Sequence, residues 1–204
     1  RIWPRRLPRP DEHVSEYLFC RRSPFYGEGL LLNSALLTAT ALVRRLPIDG
    51  TLSRHADLDW VLRAAADPEA GIEMVEGPEP LAIWHGEGSH PRTSTHPDWE
   101  FSRAWIERRR SEVTPRAYAS FLLTWVAANA VRQGCRRALP GLARDAFRGG
   151  APDALALAVF LAIAALPRRS REALSFWATH GSDPRSVRVK PPLATPRASS
   201  GASR

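Results

Sequence analysis

The apolar positions along the chain repeat with helical spacing in four places and run as short unbroken stretches in three others. Leu58, Val61, Leu62 and Ala65 fall at i, i+3, i+4 and i+7, the spacing of one buried helical face. Trp99, Trp105 and Ile106 mark a second helix that runs to about Arg110. It is entered from a polar loop in which Thr95 or His96 serves as the cap and Pro97 stands near the first position. Thr114-Pro115 opens a third helix by the same logic. Its expected buried face is Tyr118, Phe121, Leu122, Trp125 and Val126, and Gly134 ends it. Leu142 to Phe147 reads as a fourth, closed by Gly149-Gly150. Short helices are expected from Val14 to Cys20 and from Ala39 to Arg45, the latter stopped by Pro47. Asn33 to Thr38, "IEMV" (Ile72–Val75) and "LAIW" (Leu81–Trp84) read as strands. Ala154 to Leu166 is apolar all round but shorter than the roughly 20 residues a bilayer span needs. It reads as a buried helix, or as one lying in a membrane interface beside the arginines that follow it.

Punctuation divides the pattern. "RIWPRRLPRPD" at the start scatters its apolar residues among prolines and arginines and forms no regular element. From Gly181 onward Pro, Ser and Arg dominate, the composition of a disordered tail. The expected organisation is a mixed strand-and-helix part over 1–110, a helical extension over 111–180 and a tail over 181–204. The fold class is α/β with few strands, followed by an α-helical extension, helix predominating.

Composition changes this picture little. Hydrophobic residues make up 44% and charged residues 25% of 204, which is globular. The formal net charge of +8 would suit anionic partners. Lys190 is the only lysine, however, and Arg, Ala and Pro share GC-rich codons, so the charge has a codon-level explanation. No nucleic-acid-binding motif accompanies it, and no nucleic-acid partner is expected. Cys20 and Cys135 belong to no metal or disulfide pattern, which fits a reducing, cytoplasmic setting. There is no signal peptide, and an opening Arg1 in place of an initiator methionine suggests a chain that begins partway through a gene product.

Four stretches taken in order carry a family resemblance: "EYLFCRRSPFYGEGLLLNSALL", "LPIDGTLSRHADLDWVLRAA", "PEPLAIWHGEGSHPRTS" and "TPRAYASFLLTWVA". Together they resemble the acceptor-side half of a bacterial glycosyltransferase of family 2, which has the GT-A fold, with a helical extension. The second stretch carries the pattern P-x-D-x-x-L-x-R-H-x-D-x-D-W-x-L-R. The resemblance implies an inverting transfer of sugar from a nucleotide-sugar to a saccharide or lipid-linked acceptor, in polysaccharide or cell-envelope synthesis. It implies a divalent cation, Mg or Mn, whose DxD ligands belong to a nucleotide-binding half not found here. Asp57 matches the family's catalytic base, a carboxylate that takes the acceptor's proton. The family often has Glu or Gln before the base, where this chain has Ala56.

Beside that resemblance the residues keep plainer readings. Asp57 and Asp59 suit the first turn of a helix, where the dipole favours anions. Asp59 is a structural first-turn acid or an acceptor contact. His55 caps the helix or lines the pocket. Trp60, with Trp84 and Trp99, is core or stacks on a sugar ring. Arg63 pairs with a carboxylate or faces a phosphate, and His85 is an exposed, idle loop histidine, or, as the resemblance implies, a contact for the donor diphosphate or the metal. The rival readings of the whole are a non-catalytic remnant and a basic module for the membrane surface, with peripheral contact to anionic lipid at the inner face of the cell membrane.

Overall fold

The structure is a computed structural model, and it describes residues 6–23, 29, 31, 35–75, 98–167 and 170. Its regular elements there are helices: α1 (Val14–Phe19), α2 (Thr40–Arg45), α3 (Ala56–Ala66), α4 (Trp99–Arg108), α5 (Pro115–Ser120), a π-helical segment (Phe121–Val126), α6 (Ala127–Arg132), α7 (Leu139–Gly149) and α8 (Ala154–Ala165). Single 3-10 turns at Arg110–Glu112 and Arg136–Ala138 link α4 to α5 and α6 to α7.

Each helix start has a local cause. Thr114 Oγ1 accepts the Ala117 N–H at 3.1 Å, and Pro115 fills the first position, where a missing N–H costs nothing. Asp153 does the same for α8 through the Ala156 N–H at 2.7 Å. Asp98, rather than Thr95 or His96, caps α4, its Oδ1 accepting the Phe101 N–H at 2.8 Å. Gly134 takes φ +77 just past α6, a left-handed turn that glycine makes without a Cβ clash.

α5, the π segment and α6 run on as one helix through the middle of the molecule. Ala117, Phe121, Leu122, Leu123, Val126, Ala127 and Ala130 are all at most 1% exposed. α1, α4, α7 and α8 pack around this axis. Burying each of the large side chains stabilises the fold by about 1.5–3 kcal/mol. A smaller cluster of Tyr17, Leu31, Trp60, Val61 and Ala64 joins α1 to α3 and is flanked by Leu42, Val43 and Met74.

Two expectations are corrected here. The described residues contain no strand, so the α/β class is overturned and only the predominance of helix stands. Ile72–Val75 and the described part of 33–38 are irregular, while Leu81–Trp84 lies outside the described residues. The physical reason is partnership: a strand is stable only when a neighbour takes its N–H and C=O groups and its apolar face is buried. Leu37 is 99% exposed and Val75 75%; Leu36 and Met74 touch the smaller cluster, but among the described residues no neighbouring strand takes the backbone groups of either run. The second correction is Trp125, expected in the core and found 46% exposed. Across the π segment the Ala127 N–H reaches back to Leu122 O, five residues rather than four, so the 3.6-residue period that placed Trp125 inside fails there.

α8 presents Ala156, Val159 and Ile163 to the core and leaves Leu161 64% exposed. Among the described residues no helix is long and apolar enough to cross a membrane.

Candidate functional site

α3 begins with an unusual residue. His55 has φ +62 and ψ +14, in the left-handed region that few side chains other than Asn, Asp and His enter. Its carbonyl accepts the Asp59 N–H at 2.7 Å, and its side chain turns inward instead of capping the helix. There Nε2 lies 2.8 Å from Ser102 Oγ, and the ring sits 4.6 Å from the Trp105 ring and 5.7 Å from Phe121. Burial pushes the imidazole down to about 4, helped by the Arg54 charge and opposed by Asp59.

Asp59 is fully buried, and three side chains satisfy it. Arg109 donates Nε to Oδ1 at 2.6 Å and Nη2 to Oδ2 at 3.2 Å. Arg63, one turn along α3, donates Nε to Oδ2 at 3.0 Å, and the Trp105 indole N–H donates to Oδ1 at 2.9 Å. These are charge-assisted bonds in a shielded place, each about twice as strong as a neutral one. They fix α3 against α4 and the turn that follows it. Of its two open readings, Asp59 takes the structural one. Arg63 spends its other donor on Pro47 O at 2.8 Å, and Trp60 is 6% exposed with its indole N–H on Leu46 O at 2.7 Å.

Asp57 differs. It is partly exposed, its Oδ1 accepts only the Leu58 N–H at 2.9 Å, and among the described residues it has no ion pair. Two acids on one turn of α3 are thus unequal: one is saturated, the other has an oxygen to spare. His85 and Trp84 lie outside the described residues. The structure therefore joins His55 to Ser102 of α4, and Asp59 to Arg63 within α3 and to Trp105 and Arg109 of α4 and its following turn, while Asp57 and Trp60 lie on α3 outside that network. Ser102, Trp105 and Arg109 carried no sequence signal for this role, because they are distant in the chain.

Among the described residues no group of three His, Cys, Asp or Glu side chains could hold a metal ion. Asp59 has no lone pair left for one, and the expected ligands of the divalent cation, the DxD pair and His85, lie outside the described residues, so no step runs through it. Cys20 is buried, and that burial pushes its thiol up to about 12, which removes it as a nucleophile at neutral pH.

The other face of α4 lines a cleft of about 660 Å³ closed by α5 and α7. Its walls carry Trp99, Arg103 and Glu107 from α4, Tyr118 from α5, and Asp145 and Arg148 from α7.

The described residues thus define a helical protein built on one long central helix, with a polar hub at the start of α3 and a separate polar cleft behind α4. No family model, no curated protein and no solved structure matches the chain.

Proposed function

We propose that the chain supplies the acceptor side of an inverting sugar transfer from a nucleotide-sugar, with Asp57 as the base. The acceptor is a saccharide or a lipid-linked saccharide. The observation that carries the reading is the inequality of the two acids: Asp59 is held by Arg63, Arg109 and Trp105, while Asp57, two residues earlier, is partly exposed and unpaired. A base needs a free oxygen and a fixed position, and the Asp59 hub gives α3 the second.

In the step, the acceptor hydroxyl oxygen attacks the anomeric carbon of the donor sugar. Its proton passes to the Asp57 carboxylate. The bond from that carbon to the diphosphate oxygen breaks, the leaving group carries off the electron pair, and the configuration inverts. His55 touches neither sugar in this reading and acts by holding the turn that presents Asp57. The setting is the cytoplasmic side of the cell membrane, reached peripherally.

The test is a transfer assay across nucleotide-sugars and saccharide acceptors, on the chain joined to a nucleotide-binding half. Asp57→Asn should lower turnover by about 100-fold or more and leave donor binding nearly unchanged. Near-normal turnover in that variant would return Asp57 to the role of a helix-start acid. Sugar transfer by the 204-residue chain alone would overturn the division into halves.

A further inference from the structure

We infer that the cleft between α4, α5 and α7 binds a neutral saccharide. This does not rest on the Asp57 reading, because α4 separates the two places. Ser102, Trp105 and Arg109 serve the α3 side, while Trp99, Arg103 and Glu107, four residues apart along the helix, serve the cleft.

The volume of about 660 Å³ suits a ligand of one or two sugar rings. The wall chemistry then selects among small ligands. Charges of both signs line it: Arg103 Nη2 pairs with Asp145 Oδ2 at 2.6 Å, and the Glu107 carboxylate accepts the Tyr118 hydroxyl at 2.6 Å. Glu100 and Arg148, one of each sign, stand at the rim without ion-pair partners among the described residues. A phosphate ester would meet Glu100, Glu107 and Asp145, and a polyamine would meet Arg103 and Arg148, so neither ionic class is favoured. The apolar part of the lining, the Trp99 and Tyr118 rings with Ala104 and Gly149, is interrupted by five charged side chains, so an acyl chain would strand charged groups against itself.

A sugar ring meets all of these groups without a charge penalty. Its hydroxyls donate to carboxylates and accept from guanidinium groups, and its C–H face packs on an indole such as Trp99. The wall is also braced. Arg110 covers the Tyr118 ring at 4.6 Å, and a Cβ on Gly149 would come within 3.0 Å of that ring, so glycine there lets α7 close onto α5.

The experiment is titration of the full chain with maltose, cellobiose and diacetylchitobiose, with inorganic phosphate and spermidine as charged controls. It is followed by the tryptophan indole N–H signals in NMR, with Trp99→Phe identifying the Trp99 signal. At least one disaccharide should shift that signal with millimolar affinity. Trp99→Ala should weaken binding about tenfold, Arg148→Gln should weaken it by a smaller factor, and Asp57→Asn should leave it unchanged. Circular dichroism of each variant separates loss of binding from loss of fold. The inference fails if no disaccharide binds, if phosphate or spermidine binds more tightly, or if Trp99→Ala, followed by calorimetry because it lacks the reporting indole, binds as tightly as the parent chain. It also fails if Asp57→Asn alone abolishes binding, which would place the sugar at α3. Turnover and disaccharide binding are separate readouts, so this inference and the base assignment fail independently.

Discussion

Asp59→Asn would leave Arg63 and Arg109 facing a neutral amide in a buried place. Breaking a buried pair of this kind costs about 3–5 kcal/mol; with both guanidinium groups partly open to water, the lower end is expected. Asp57→Asn should cost no more than about 0.5–1 kcal/mol, the worth of one first-turn charge. Urea unfolding of the two variants side by side checks the contrast. His55 adds a pH dependence. Its folded value of about 4 lies below its ordinary value of 6.5, so the unfolded chain binds the proton more readily. That contribution is therefore fully present above about pH 6.5 and is lost as pH falls toward 4, by roughly 3 kcal/mol in all. His55→Asn tolerates the left-handed backbone and cannot titrate, so stability curves from pH 7 to 4 should lose this slope while carboxylate effects remain. The sequence allowed Asp57 and Asp59 to be placed together on a helix start. It left Asp59 open between a structural acid and an acceptor contact, because the partner that matters most, Arg109, is fifty residues away in the chain.

Among the elements, α5 to α7 were legible because they carry their own punctuation: Thr114-Pro115, Gly134 and the Gly149-Gly150 pair. The strands were misread because a short apolar run has no period to separate it from an irregular segment, and only a pairing partner decides. Trp125 was misread for a different reason, since a 3.6-residue period was carried through a segment that does not obey it. The energetic consequence is measurable. Trp105, 1% exposed and bonded to Asp59, should cost about 3–5 kcal/mol on truncation to Ala. Trp125, half in solvent and stacked on Phe121 at 5.9 Å, should cost about 1 kcal/mol. Thermal or urea denaturation of Trp105→Ala and Trp125→Ala ranks them, and equal losses would mean that the Trp125 ring is covered in solution.

For the whole molecule, one tight point is where α7 ends against the start of α5. A Cβ on Gly150 would fall 2.7 Å from Pro115 O and 2.8 Å from both Ala119 Cβ and Ala146 O. Two of those three atoms are backbone and cannot swing away, so Gly150→Ala should push α7 off α5 and cost about 1–3 kcal/mol. A lowered melting temperature, with disaccharide binding weakened at the adjoining cleft, is the expected pair of results. The molecule's outer contact with lipid is testable too. α8 has a buried face, so binding of the chain to anionic vesicles should be electrostatic and should fall between low and high salt in co-sedimentation. Salt-insensitive binding would mean that α8 leaves the core and inserts.

The widened turn at the centre of the long helix has a consequence at the level of the gene. A backbone bond that spans five residues holds one more than the same turn would need as a regular helix. The outward residue of that turn is Trp125. Deleting its single codon should let the segment close into an ordinary turn while α5 and α6 keep their facing sides. Deleting one codon in α4 instead would rotate everything beyond it by about 100° and unmake the Asp59 hub. The chain lacking Trp125 should therefore melt cooperatively, and the chain lacking Arg103 should not. In the middle of its central helix, the half-exposed Trp125 thus marks a place where the loss of one triplet is expected to keep the fold.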